Sequence, residues 1–179
     1  DPDAALPDAP VVPPREPIFD AYGSPLAFDV ATWNIEGFPK SASTVANAQD
    51  IVFSLGVDLI AVQEIASVTN FDALMAGLPD YEAVLSTHRY APNSYQKTGL
   101  IARKDVITIR GSELILVDQS ASMPRPPLRV ALTYHGTDGS FDFDAIIIHL
   151  KAGFTAQDRQ QRETSISLLD IYIRDRLDA

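Results

Sequence analysis

Cysteine is absent from the 179 residues, which excludes disulfides and thiolate metal sites. Long hydrophobic runs are absent as well, because no apolar stretch approaches the roughly 18 residues that a membrane-spanning helix requires. Basic residues are few: 14 Lys and Arg stand against 24 Asp and Glu, and the formal net charge is −10. This acidity argues against tight, nonspecific nucleic-acid binding, which depends on Lys and Arg neutralising phosphates.

The apolar residues, 46% of the chain, suffice for a core of one domain or a large part of one. We interpret residues 1–24 as a Pro-rich tail or linker, because six of the thirteen prolines fall in the first 17 residues. Proline breaks helices and cannot donate to a strand ladder. The domain itself is expected over residues 25–179. A tail of this kind is typical of a spacer next to a membrane anchor or secretion signal.

Positive charge is concentrated in one segment of this acidic chain. Residues 89–130 hold seven Lys and Arg and only three acidic residues. Two interpretations stay open: these are the solvated edges of hairpin strands, or they form a surface that meets an anionic substrate.

The periodicity of apolar residues predicts a layered α/β fold. Strands are predicted over 25–34, 57–65, 81–87, 98–106, 107–117, 128–134 and 141–150, and helices over 44–56, 67–78 and 156–177. Two strand–helix pairs are therefore followed by a strand-rich meander and a last helix. This order predicts an α/β layered sandwich with mixed sheets.

Each predicted helix has one face expected to point inward. The expected inward positions are Val45, Ala48, Val52 and Leu55 in the first helix, Phe71, Leu74, Met75 and Leu78 in the second, and Ile166, Leu169, Ile173 and Leu177 in the third. Gly56 is expected to end the first helix, and Thr69 with Asp72 to cap the second.

Three apolar strands end on polar residues of the kind that carry chemistry: Asn34, Gln63–Glu64 and His149. Layered α/β folds commonly gather such strand ends at one edge of a sheet. A carboxylate, an amide and an imidazole together suit a Mg²⁺ and phosphate site. The alternatives are that Asn34 is a turn residue, that Glu64 faces solvent and that His149 is a hydrogen-bonded core residue.

Five motifs in order, "TWNIEG", "DLIAVQEI", "NSYQKTGLIAR", "MPRPPLRVAL" and "IIIHLKAG", resemble the endonuclease/exonuclease/phosphatase superfamily of metal-dependent phosphoesterases. The superfamily includes secreted deoxyribonucleases, abasic-site nucleases, bacterial sphingomyelinases and inositol-polyphosphate phosphatases. The likeness covers roughly residues 26–179.

The resemblance implies a role for five residues. Glu64 matches the metal-binding Glu, and Asn34 the Asn that helps to position metal and phosphate. His149 matches the His that contacts the scissile phosphate, Tyr95 a substrate-facing Tyr, and Arg125 an Arg near the phosphate-binding surface. The implied activity is Mg²⁺-dependent phosphodiester hydrolysis, with Mn²⁺ or Ca²⁺ as alternative ions. The implied partner is a phosphate ester, with nucleic acid as one candidate.

The sequence departs from the superfamily pattern in two ways. Ala66 replaces an Arg that contacts DNA in pancreatic-type enzymes, and Lys97 replaces an acid that pairs with the catalytic His. The later motifs Gly-Asp-x-Asn and Ser-Asp-His do not occur in residues 1–179. We therefore expect this chain to be the N-terminal portion of the domain. Three alternatives stay open for the rest of the domain: it is absent, it is cleaved away, or it is carried on another chain, and an oligomer or a second chain is one way to complete the domain.

Two alternative functions stay open at this point. One is a non-catalytic binding or assembly domain on the same fold, and the other is a phospholipid or inositol-phosphate hydrolase. The Pro-rich tail and the resemblance together favour an extracytoplasmic or secreted location.

Overall fold

The computed structural model describes residues 15–89 and 96–178. The strands there are β1 (Val30–Phe38), β2 (Leu59–Ile65), β3 (Tyr81–Leu85), β4 (Lys97–Arg103), β5 (Ile107–Leu114), β6 (Leu128–Gly136) and β7 (Gly139–Ile147). The helices are α1 (Thr44–Leu55), α2 (Val68–Ala76) and α3 (Ala156–Leu177). No helix within these residues has the length and apolar character needed to cross a membrane.

The strands form one mixed sheet and one antiparallel sheet. The first has the order β1-β2-β4-β3, in which β1 and β2 are parallel because α1 provides the crossover between them. The strands β3 and β4 join it in antiparallel pairs. The second sheet is the meander β5-β6-β7. The predicted α/β layered sandwich with mixed sheets is confirmed.

Two hydrophobic clusters lie on opposite faces of the mixed sheet. Ile60 and Ile101 pack in the cluster that holds α1 and α2, whereas Leu59 and Leu100 pack in the cluster shared with the second sheet. Because side chains alternate along a strand, neighbouring residues of β2 and β4 enter different cores. The central strands are therefore buried on both faces, as the continuous apolar run of 57–65 predicts.

The first two helices present the predicted faces to the core, but the cap of α2 is not the predicted one. The side-chain oxygen of Ser67, not Thr69, accepts a hydrogen bond from the Asn70 backbone N–H. The cap lies two residues earlier than the Thr69–Asp72 pairing assumes, because Val68 and Thr69 already lie within the helix. Gly56 ends α1 with a left-handed φ of 62°, as predicted.

The predicted inward face of α3 is wrong. Ile166 is 47% exposed, Ile173 is 37% exposed and Leu177 is 81% exposed, whereas Ser165 is buried. The helix contacts the rest of the described chain through polar groups, since the Ser165 hydroxyl donates to the Ser122 carbonyl at 2.7 Å. The buried side of this helix therefore includes Ser165, while Leu169 alone of the four predicted positions is half-buried.

The first strand begins at Val30 rather than Pro25 and continues to Phe38 instead of ending at Asn34. Residues Glu36 (φ 44°) and Gly37 (φ 64°) adopt left-handed backbone conformations, which bulge the strand and allow pairing to resume. At the other end of the chain, β7 ends at Ile147, so His149 lies two residues beyond a strand rather than within one.

Part of the predicted Pro-rich tail lies along α1. The backbone N–H groups of Tyr22 and Gly23 both donate to the Leu55 carbonyl, and Ile18 N–H donates to the Ser54 hydroxyl. The boundary at residue 24 stays a prediction, with residues 1–14 outside the described part of the chain.

Candidate functional site

Paired bulges at the ends of β1 and β2 build the site. Asn34 pairs with Gln63, and the next pair is Phe38 with Ile65, so extra residues of β1 oppose the end of β2. Glu64 lies at this irregularity with φ 63°, a left-handed conformation that is uncommon outside glycine. Strain of this kind, which costs roughly 1–3 kcal/mol, is often retained where a bulge redirects a side chain.

The bulges bring the three predicted strand-end residues together. Asn34 Nδ2 donates to Glu64 Oε1 at 3.0 Å, and His149 Nε2 lies 3.4 Å from the same oxygen. The side chains of Glu64 and His149 are 19% and 13% exposed, so the cluster lies at the surface but is largely shielded. The buried Gln63 instead donates to the Thr32 hydroxyl at 3.1 Å, beside the cluster.

Hydrogen bonds at both Oδ1 and Nδ2 fix the side-chain amide of Asn34. Its Oδ1 accepts from the Glu36 backbone N–H at 3.0 Å, which assigns Nδ2 as the atom that faces Glu64. Asn34 therefore orients the carboxylate in this arrangement. Its predicted role as a metal ligand stays a prediction.

Arg125 ties the His149 segment to the start of β4. One guanidinium nitrogen donates to the carbonyls of His149 and Leu150, at 3.4 and 3.3 Å, and another donates to the side chain of Gln96. Sequence reasoning missed Gln96, although it lies inside the "NSYQKTG" motif. Its neighbour Tyr95, the predicted substrate-facing residue, lies outside the described residues.

Lys97 does not take the place of the acid that the resemblance puts at its position. Its Nζ donates to the carbonyls of Ser86 and His88, at 2.6 and 2.8 Å, and the residue is only 5% exposed. In the described part of the chain, His149 Nδ1 is buried without a hydrogen-bond partner. His149 is thus positioned by the contact of its Nε2 with Glu64 and by the hydrogen bond from Arg125 to its backbone carbonyl.

Burial is the main cause that lowers the pKa of His149 below its ordinary value of 6.5. The Arg125 guanidinium lowers it further, and the Glu64 carboxylate acts in the opposite direction. The ring is therefore neutral near pH 7. A proton on Nε2 lets a neutral ring donate to Glu64 and leaves Nδ1 as an acceptor.

The opposing effects on His149 predict shifts of opposite sign in two variants. We expect His149 to titrate below 6.5 in the NMR pH titration of the three histidines. Glu64→Gln removes a negative charge and should lower the pKa of His149 further, whereas Arg125→Gln removes a positive charge and should raise it. Shifts of the same sign in both variants would contradict the described geometry, and His135, distant in the β5–β6–β7 sheet, serves as the internal control.

One carboxylate and one amide fit a Mg²⁺ ion better than a transition metal. Mg²⁺ binds through one or two carboxylates and keeps several waters and substrate oxygens in its shell. Within residues 15–89 and 96–178, no group of three or more His, Cys, Asp or Glu is arranged to hold a metal ion. Glu64 therefore suits a lightly ligated hard ion, and neither a zinc nor a calcium cage is formed by the described side chains.

Comparison with known proteins gives a likeness of fold. No protein-family model matches the sequence, and no curated protein does. Solved structures do match: TDP2 from D. rerio complexed with single strand DNA product has a TM-score of 0.61 and 18% identity, over 82% of this chain and 54% of that one.

Two structures from Bacteroides thetaiotaomicron match in the same way. An endonuclease/exonuclease/phosphatase family protein has a TM-score of 0.56 and 14% identity, over 83% of this chain and 57% of that one. A mannosyl-6-phosphatase has a TM-score of 0.54 and 13% identity, over 83% of this chain and 60% of that one.

The chain thus has an endonuclease/exonuclease/phosphatase-like fold, as the resemblance of its motifs implies. It spans between half and two thirds of the length of these solved structures. The matching part is the N-terminal part of each of them.

Proposed function

We propose that this chain carries the metal- and phosphate-binding site of a Mg²⁺-dependent phosphoesterase that hydrolyses phosphodiesters. The observation that supports this most directly is the meeting of Asn34, Glu64 and His149 around one carboxylate oxygen. These residues come from distant parts of the sequence, and a strained backbone at Glu64 directs its side chain to them.

Each residue has a chemical task in this proposal. Glu64 holds the Mg²⁺ ion, which when bound supplies charge stabilisation on the phosphate and leaving-group oxygens. Asn34 fixes the carboxylate by hydrogen bonding. With a phosphate bound, the single N–H of the neutral His149 ring, at Nε2, would donate to a phosphate oxygen in place of Glu64 Oε1, and Arg125 holds the His149 backbone in place.

The names of two of the matching structures imply phosphate esters. One of them is complexed with single strand DNA product, and another is a mannosyl-6-phosphatase. We propose a phosphodiester, nucleic acid included, as the substrate class. The net charge of −10 favours transient rather than tight contact with a polyanion.

The alternative is a non-catalytic binding domain on the same fold. One observation favours it: among the described residues, nothing accepts from or donates to the buried His149 Nδ1. Phosphodiesterases that use a histidine for proton transfer orient the ring through its second nitrogen. A binding domain has no need for that restraint.

Hydrolysis of bis(p-nitrophenyl) phosphate with and without Mg²⁺ tests the proposal, and it is measured on the complete domain, in which this chain is joined by the remaining portion that the resemblance implies. We expect release of p-nitrophenol that disappears with a chelator and returns when Mg²⁺ is added back. Mg²⁺ binding is measured in parallel by titration calorimetry. Binding without hydrolysis of this or of mononucleotide, inositol-phosphate and phosphatidylcholine substrates would overturn the enzymatic proposal in favour of the binding domain. Absence of both would overturn the metal site itself.

A further inference from the structure

A cleft of about 660 Å³ opens beside the Glu64 site, and the proposed function does not use it. Residues 66–69, residues 85–87, Arg89 and Lys97 line it. It adjoins the site because Ala66 lies two residues after Glu64, and because Ile65 of β2 pairs with Lys97 of β4. A substrate bound at Glu64 could therefore place a neighbouring chemical group in the cleft.

The buried wall of the cleft carries a positive charge with no carboxylate beside it. Lys97 is 5% exposed, and its Nζ donates to two carbonyl oxygens, which occupy two of the three ammonium N–H groups. Among the described residues, no carboxylate pairs with it and no acidic side chain lines the cleft. Burying an unpaired ammonium is costly unless a counter-charge is supplied.

Arg89 and the start of α2 add to the positive potential of the same cleft. Ser67 caps this nine-residue helix, Val68 and Thr69 begin it, and its first turn contains no acidic residue. The first backbone N–H groups of a helix lack intrahelical acceptors and favour an anion.

Of the five other cations of the basic segment 89–130, Arg125 donates to carbonyls beside the Glu64 site, and the remaining four have partners away from the cleft. Arg103 pairs with Asp58 and Asp105, Arg129 pairs with Glu113 and Asp144, Arg110 pairs with Asp142, and Lys104 donates to the Pro79 carbonyl. Among the described residues of that segment, Lys97 and Arg89 are the two that line this cleft.

We infer that the cleft is a second anion subsite, which binds a further phosphate group of the substrate next to the phosphate held at Glu64, with Lys97 as its buried anchor and Arg89 at its rim. This inference rests on the proposed function for the identity of the neighbouring site. It predicts that substrates with at least two phosphates, such as a nucleotide chain or a sugar bisphosphate, bind more tightly than substrates with one phosphate.

Paired ligands that differ by one phosphate test the subsite by binding alone, without Mg²⁺ or turnover. We expect the dinucleotide pTpT to bind about tenfold more tightly than TpT in titration calorimetry, since one charge-assisted contact is gained. Glucose 1,6-bisphosphate and glucose 1-phosphate form the second pair. A preference in both pairs supports recognition of phosphate alone, and one confined to the dinucleotides supports a nucleic-acid substrate.

Lys97→Met should abolish the preference, because it keeps the length of the side chain and removes its charge. Lys104→Met is the matched control, since Lys104 also donates to a carbonyl but lies away from the cleft, and the preference should persist in it. Arg89→Gln, at the exposed rim, should reduce the preference without affecting folding.

No preference in the unmodified protein, or an unchanged preference in Lys97→Met, would overturn the inference. Failure of the subsite and failure of the proposed function are separable. If the protein hydrolyses no substrate but Glu64→Gln still binds the ligand with the additional phosphate more tightly, the subsite is supported and the enzymatic proposal is rejected. If the protein hydrolyses substrate but shows no such preference, the enzymatic proposal is supported and the subsite is rejected.

Discussion

Glu64→Gln is expected to lower the kcat/KM of Mg²⁺-dependent phosphodiester hydrolysis by about three orders of magnitude. Loss of the metal's charge stabilisation is worth several kcal/mol in the transition state, and each 1.36 kcal/mol corresponds to about tenfold in rate. The amide of Gln can still accept the hydrogen bond from Asn34 Nδ2, so the local geometry is retained. The measurement is the initial rate of bis(p-nitrophenyl) phosphate hydrolysis over a range of Mg²⁺ concentrations.

A charge-matched variant separates this effect from a general loss of acidic charge. Glu163→Gln, on the exposed side of α3, makes the same chemical change far from the site and should leave the rate unaltered. Circular dichroism and thermal unfolding verify that both variants fold. If Glu64→Gln hydrolysed the substrate at the unmodified rate with the same Mg²⁺ dependence, Glu64 would not be the metal ligand.

The sequence was sufficient to bring the three central residues of the site together. Asn34 and Glu64 lie where the regular parallel pairing of two apolar strands stops, and such positions lie at one edge of a sheet. His149 follows another apolar run and reaches the same carboxylate from the second sheet. Periodicity and strand polarity, which are local properties, therefore predicted the location of the cluster, while the chemistry assigned to it stays a proposal.

Features that depend on tertiary contacts could not be predicted in this way. A non-glycine residue in a left-handed conformation, such as Glu64, has no signature in its own sequence, because the surrounding pairing imposes it. The buried side of α3 includes Ser165, whose hydroxyl donates to the Ser122 carbonyl, and no periodicity of apolar residues encodes that. The extent of the first strand was misjudged for the same reason, since a bulge lets it continue past Asn34.

The basic segment illustrates how folding decides between two interpretations that a sequence leaves open. A count of charged residues cannot distinguish cations that face a ligand from cations that form ion pairs with acidic residues on a neighbouring strand. Arg129, for instance, meets Glu113 and Asp144 on the two neighbouring strands, whereas Lys97 meets only carbonyls. The ion pairs of Arg103, Arg110 and Arg129 agree with the first interpretation, whereas an anionic ligand at Lys97 stays a proposal.

Leu100→Ala and Ile101→Ala are each expected to lower the free energy of unfolding by about 2–5 kcal/mol. The two side chains are adjacent in β4, are both 0% exposed and enter different cores. Truncation of either leaves a cavity, and the two cavities are separated by the sheet itself. In a sheet covered on one face only, one of two neighbouring residues would face water and its truncation would cost little.

Chemical denaturation of the single variants and of the double variant measures these effects. Val117→Ala, at a position 57% exposed, is the control and should change the free energy of unfolding by less than about 0.5 kcal/mol. The losses of the two core variants should be nearly additive if the cores respond independently, although contact through the shared strand permits some coupling. A free energy of unfolding that hardly changes in either core variant would show that the mixed sheet is not covered on both faces. The site at the edge of this sheet would then lack the rigid support that holds Glu64 in its strained conformation.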